Sequence, residues 1–170
     1  FYGEYLVSVN NKKIKPTCLA LIDANLIFTT VEDGFGIYDF RVKKGFNYIY
    51  TPDFVDDEFR SKLRFNDGKC DRDGNFYIGT MDLESPRKPI GSIYKLEPHY
   101  FSIKANKVFD NISVTNGLSF TTNNKYMFFS DTPQKKIYMC KPLLSLQKVN
   151  HKLVLGDKNS NRCPDGSTVD

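Results

Sequence analysis

Three short segments bring oxygen-bearing side chains next to glycine: Arg64-Phe65-Asn66-Asp67-Gly68, Thr115-Asn116-Gly117-Leu118 and Pro164-Asp165-Gly166. An Asn amide and an Asp carboxylate are hard oxygen donors, the ligand type that suits a divalent cation such as calcium. Asn-Gly and Asp-Gly are also turn dipeptides, so each segment taken singly reads as a turn. Their recurrence just ahead of strands is what makes them candidates for a shared site. Other chemistries find less support. Ser167 has no neighbouring base motif, which argues against a serine nucleophile. His99 and His151 stand alone in polar surroundings and read as surface residues. Asp67, Asp71 and Asp73 with Gly74 lack the spacing of an EF-hand, so their expected work is capping the turn before Asn75.

The elements that must position these side chains repeat. An apolar-aromatic strand that follows a turn and ends near an acidic residue occurs three times: Asn25 to Thr30, Asn75 to Thr80 and Lys125 to Ser130. Phe28, Tyr77 and Phe128 stand 49 and 51 positions apart. A second strand follows each copy, at Gly36 to Phe40, Gly91 to Leu96 and Lys136 to Cys140. A strand also precedes each, at Cys18 to Ile22, more briefly around Lys69 to Asp71, and at Leu118 to Thr121. Asp, Asn and Gly in the intervening turns tolerate left-handed backbone angles and suit tight hairpins. Three or four short antiparallel strands every ~50 residues are the mark of propeller blades, with a two-sheet sandwich as the alternative. In a propeller, the innermost strands deliver side chains to the central channel. Closed rings take about four to eight blades, and 170 residues hold three to four. The sequence is therefore expected to be an incomplete arc, a little over half of a ring, with residues 1–170 as one partial domain.

Composition narrows the class further. The 14 Phe and 10 Tyr, with no Trp, favour pleated half-buried surfaces and an all-β fold. Net charge is only +4, and the basic pairs Lys12-Lys13, Lys43-Lys44 and Lys135-Lys136 form no dense stripe, so nucleic acid is not an expected partner. No apolar run is long enough for a membrane span. Cys18, Cys70, Cys140 and Cys163 are far apart, with no CxxC pair and no nearby His to build a zinc site. They are expected to be reduced thiols, which favours a cytoplasmic location.

Arg64 to Asp71, continuing through Asp73-Gly74 to Gly79-Thr80-Met81, resembles the RxNDGxxDxxGxxxxGTM stretch of the SMP-30/gluconolactonase/luciferin-regenerating-enzyme (regucalcin-like) family. Ile112 to Leu118, followed by Tyr126 to Asp131, is similar to its sNGL…yfaDs segment. Arg162 to Gly166 through Val169-Asp170 is similar to its PDGmxvD segment. The three occur in the family's order and approximate spacing.

The resemblance implies a six-bladed β-propeller with a divalent cation in its channel, held by a Glu, an Asn and an Asp. Asn116 matches the metal-binding Asn, and Asp165 matches the Asp that also moves protons as the catalytic residue. Arg64 and Asn66 match substrate-contacting positions, and Glu84 falls where the family has a substrate-contacting Glu. The family's metal-binding Glu belongs to an EGPxW-type segment that this sequence does not match, and Glu4 lacks that context. The expected activity is metal-dependent hydrolysis of small sugar-acid lactones. Calcium is the first choice of cation, with zinc, manganese or magnesium as alternatives. A luciferin-regenerating type of hydrolase and a non-catalytic calcium-binding propeller are the rival functions.

Overall fold

The computed structural model describes residues 8–9, 12–13, 15–32, 34–42, 46–50, 61–99, 102–142, 152–156 and 161–169. Glu4, Lys43-Lys44, His151 and Asp170 lie outside the described residues. A two-stranded ribbon, β1 (Ser8–Val9) with β2 (Lys12–Lys13), precedes three four-stranded antiparallel sheets. The first sheet is β3 (Pro16–Leu21), β4 (Leu26–Val31), β5 (Gly34–Asp39) and β6 (Phe46–Tyr50), paired in chain order. β7 (Leu63–Cys70), β8 (Phe76–Asp82), β9 (Gly91–His99) and β10 (Ser102–Ile112) make the second. The third is β11 (Thr115–Phe120), β12 (Met127–Asp131), β13 (Lys136–Cys140) and β14 (Lys152–Gly156). No helix occurs among the described residues, so none there is long and apolar enough to cross a membrane.

The repeated turns are built as their residue types suggest. Asp23 Oδ1 accepts from the amides of Asn25 (2.7 Å) and Leu26 (2.9 Å). Asp71 Oδ1 does the same for Asp73 (3.0 Å) and Asn75 (2.9 Å). In the third copy, Thr121 Oγ1 accepts from the Tyr126 amide at 3.1 Å and Asn123 Oδ1 from Lys125 at 3.1 Å. Each side chain stands in for a backbone acceptor and closes the hairpin between the first two strands of its sheet.

Side chains alternate across each strand, and the two faces of the second sheet serve different cores. Phe76, Ile78, Tyr94 and Leu96 pack with Phe35 and Phe65 towards the first sheet. Tyr77 and Ile93 instead join Leu118, Phe120, Met127 and Phe129 of the third sheet. All seven residues of β8 are consequently buried. Three sheets in series, the middle one covered on both faces, are not a two-sheet sandwich. The aromatic excess fills these seams: Phe28 meets Phe76 edge-on at 5.0 Å, and Tyr77 meets Phe120 at 4.9 Å.

The first strands of the three sheets, β3, β7 and β11, pack side by side in that order. Backbone bonds stitch the seams near them. Phe65 N donates to Glu32 O at 3.0 Å, Asp82 N donates to Ser113 O at 3.0 Å, and Met81 bridges Val114. The acidic residues at the ends of β8 and β12 are buried joints. Asp82 accepts from the amides of Glu84 (3.0 Å) and Lys88 (2.7 Å), and Asp131 from those of Ser113 (3.0 Å) and Val114 (3.2 Å).

One expectation changes. Arg64–Gly68 and Thr115–Leu118 do not precede strands; they lie inside β7 and β11, and β7 is eight residues long. Both strands bulge at this level, between Phe65 and Gly68 and between Asn116 and Ser119. A bulge satisfies the glycine and asparagine preferences of a turn while the strand continues.

Candidate functional site

The two bulges face each other across the seam between the second and third sheets, and the candidate residues gather there. A bulge leaves ladder groups unpaired, and here side chains from β7 meet those of β11. Asn66 Nδ2 donates to the Thr115 carbonyl at 2.8 Å and to Asn116 Oδ1 at 3.0 Å. Asp67 Oδ2 accepts from the Leu118 amide at 3.0 Å. Burial pushes the Asp67 carboxyl above its ordinary range, against the pull of the Leu118, Gly68 and Gly117 amides. Asn66 and Asp67 thus grip β11 on both sides of Asn116.

Gly117 sits in the left-handed region at φ 60°. A Cβ there would stand 2.7 Å from the Asp165 carbonyl oxygen and 3.1 Å from Ser167 Oγ, so only glycine lets the 164–167 segment lie this close. Ser167 Oγ donates to the Gly117 carbonyl at 2.6 Å and shares a hydrogen bond with Ser119 Oγ at 3.2 Å. Its role is to clip the segment in place. Thr132, the first residue after β12, completes the junction. Asn116 Nδ2 donates to Thr132 Oγ1 at 2.8 Å, and Thr132 Oγ1 donates to the Pro164 carbonyl at 2.8 Å. The Asp165 residue itself is exposed to solvent.

Arg64, on the same strand as Asn66, is half-buried and donates from Nη1 to the Phe65 carbonyl at 2.9 Å. Glu84 lies on the loop after β8, where Lys88 Nζ pairs with its Oε2 at 3.3 Å. That loop folds about the buried Asp82 and is tied to the start of β7 by Leu83 N donating to Lys62 O at 2.8 Å. Burial works against ionisation of Asp82, yet the Glu84 and Lys88 amides and the Arg87 and Lys88 charges outweigh it and hold the carboxyl below its usual range.

The arrangement brings an amide oxygen (Asn116) and the chain bearing a carboxylate (Asp165) to one seam, with Asn66 hydrogen-bonded to the first. These are donors that a hard cation accepts, and the strand beside them is cleared of a side chain at Gly117. No group of three His, Cys, Asp or Glu side chains that could hold a metal occurs among the described residues. Sequence reasoning missed Thr132 and the clip made by Ser167. The available signal for Thr132 was its position directly after the acid that ends the third repeat; Ser167 had none beyond following Asp165-Gly166.

Comparison with known proteins bears on the family and the fold. The family model described as the SMP-30/Gluconolactonase/LRE-like region matches residues 6–170. The Bacillus subtilis (strain 168) protein named "Putative sugar lactone lactonase YvrE" is 31% identical over 156 residues, 91% of this chain and 50% of that protein. An uncharacterized protein of Sulfolobus acidocaldarius is 34% identical over 141 residues, 82% of this chain and 48% of its own length. A solved calcium-binding protein, regucalcin from Agrobacterium tumefaciens, superposes with a TM-score of 0.76 at 22% identity, over 92% of this chain and 50% of that one. That likeness is one of fold: the sheets are arranged as in regucalcin-like propellers. The chain spans about half the length of the relatives it matches. With a family match running over nearly all of its residues, the chain belongs to the SMP-30/gluconolactonase/LRE-like family.

Proposed function

We propose that the full-length protein is a metal-dependent hydrolase of small sugar-acid lactones, with Asn116 and Asp165 as oxygen ligands of a divalent cation and Asp165 as the proton-transfer group. The observation that carries this reading is the continuous hydrogen-bonded line from Asn66 through Asn116 and Thr132 to Pro164, the residue before Asp165. It ties donor groups from two sheets and a separate segment into one place. Three four-stranded sheets across about half the length of the relatives also suit a six-bladed ring, of which these would be consecutive blades.

A cation bound by these oxygens would supply Lewis-acid polarisation of the lactone carbonyl. The chain's own residues do the rest. Water adds to the carbonyl carbon as one Asp165 carboxylate oxygen takes its proton. The ring C–O bond then breaks, and Asp165 returns the proton to the departing ring oxygen, giving the open hydroxy acid. Exposure of Asp165 gives it access to that water. Arg64 uses one of its five N–H donors on Phe65, and Asn66 Oδ1 is the end of its amide turned away from Asn116; both suit sugar oxygens and hydroxyls. Glu84, held by Lys88, would accept from further hydroxyls. Fixing the ring in this way contributes to rate as well as affinity. Calcium is the favoured ion, since the Agrobacterium regucalcin is described as calcium-binding and the donors are hard oxygens.

The test is kinetic, on the full-length protein with an aldonolactone panel. Asp165→Ala is expected to abolish turnover, and Arg64→Ala to raise KM with a smaller effect on kcat. Wild-type turnover by metal-replete Asp165→Ala refutes the assignment. Turnover of nitriles or aryl esters in place of lactones moves the reading to a luciferin-regenerating type of hydrolase. Calcium binding without any turnover moves it to a binding propeller.

A further inference from the structure

A hydroxyl carries a single proton, and the direction in which it is spent constrains its neighbours. Thr132 Oγ1 donates its proton to the Pro164 carbonyl at 2.8 Å, so towards Asn116 it can only accept. It accepts from Asn116 Nδ2 at 2.8 Å, which fixes the nitrogen end of that amide against β12 and turns Oδ1 the other way. At the far end, Asn66 Nδ2 donates to Asn116 Oδ1 at 3.0 Å and enforces the same orientation. An amide binds a cation through its oxygen alone, so a flipped Asn116 would present two N–H donors where a ligand is needed.

Thr132 is itself anchored by backbone on both sides. Its amide donates to the Val114 carbonyl at 3.2 Å, and its carbonyl accepts from the Lys135 amide at 3.0 Å. The preceding residue, Asp131, is buried and holds the Ser113 and Val114 amides. The hydroxyl therefore has a defined place, and it joins the two segments that bear Asn116 and Asp165.

We propose that Thr132 is a positioning residue for cation binding: its hydroxyl sets which end of the Asn116 amide faces the site and holds the Pro164-Asp165 segment against it. The inference rests on the reading that Asn116 and Asp165 ligate a divalent cation. Calorimetric titration of calcium chloride into chelator-treated full-length protein tests both. Groups that orient a metal ligand typically set affinity by about 10- to 100-fold, so Thr132→Val is expected to weaken the calcium Kd by that factor. Thr132→Ser keeps the hydroxyl and is expected to bind as wild type. Thr121→Val is the control for general damage. It removes a hydroxyl, in the turn between β11 and β12, that donates to Asn123 Oδ1 at 2.8 Å, and it should lower Tm without moving Kd. Thr132→Ala replaces the valine variant if that one does not fold.

A Thr132→Val protein with wild-type Kd overturns the inference, as does a Thr132→Ser protein as weak as the valine form or an equal loss in Thr121→Val. Asp165→Ala in the same titration separates the two levels. Loss of binding there with unchanged binding in Thr132→Val sinks only the role of Thr132. Wild-type binding by Asp165→Ala, or none by the wild type, overturns the ligand reading and this inference with it.

Discussion

Gly117→Ala is the most direct probe of whether the Asp165 segment closes on Asn116. Two costs follow from the structure. The left-handed backbone at φ 60° penalises any Cβ by about 1–2 kcal/mol. The new methyl would also stand 2.7 Å from the Asp165 carbonyl oxygen, a backbone atom that cannot simply rotate away. Forcing a methyl into filled space costs about 1–3 kcal/mol more. Reduced freedom of the unfolded chain returns about 0.4–1 kcal/mol, leaving roughly 1–5 kcal/mol of destabilisation. Gly74→Ala separates the terms. Gly74 has φ 84° with nothing within 4 Å of its added Cβ, so it carries the backbone cost alone, about 1 kcal/mol net. Denaturant unfolding of both variants in the full-length protein, with calcium titration alongside, gives the comparison. Gly117→Ala should be the more destabilised by about 1–3 kcal/mol and should bind calcium more weakly. Equal losses in the two variants would show that the 164–167 segment does not rest on Gly117, and the proposal that Asn116 and Asp165 share a cation would lose its support.

Asp67→Ala leaves the Leu118 amide without its acceptor and is expected to cost about 1–3 kcal/mol in denaturant unfolding, with Asp67→Asn recovering part of it. Asp131 is raised above its ordinary 3.8 by burial, the Ser113 and Val114 amides opposing. A carboxyl raised in the folded state stabilises fully below the unfolded value, and that contribution is lost as pH rises through the folded one. The stability gap between wild type and Asp131→Asn should accordingly narrow as pH increases from 3.8; a widening gap would contradict the burial argument. Burial pushes the Cys18 and Cys140 thiols up to about 12, whereas Cys163 is exposed. Peptide mapping after brief alkylation near neutral pH should find Cys163 modified and Cys18 and Cys140 protected until the protein unfolds.

Much of this was legible in one dimension, because strand periodicity and turn chemistry are local. The ~50-residue spacing of Phe28, Tyr77 and Phe128 marks the second strands of three successive sheets, and Asp23, Asp71 and Thr121 close their hairpins through bonds to nearby residues. The capping role of Asp71 was visible for that reason. Asp67, four residues earlier and chemically identical, does something else: it reaches 51 residues ahead to the Leu118 amide. Its Asp-Gly context could not distinguish the two uses, since a bulged strand and a turn ask for the same residues.

The all-β repeat, the family to which the chain belongs and the residue types able to offer oxygens to a cation are all written in the order of the residues. Which partners those oxygens have follows from the folded arrangement. Asn66 and Asn116 are 50 positions apart and meet only because β7 and β11 bulge at one level of a shared seam. Thr132 becomes the link to Pro164 only when the end of β12 and the 161–169 segment come together. Local preferences act over a few bonds, whereas a hydrogen bond between sheets depends on register and packing summed over the whole fold.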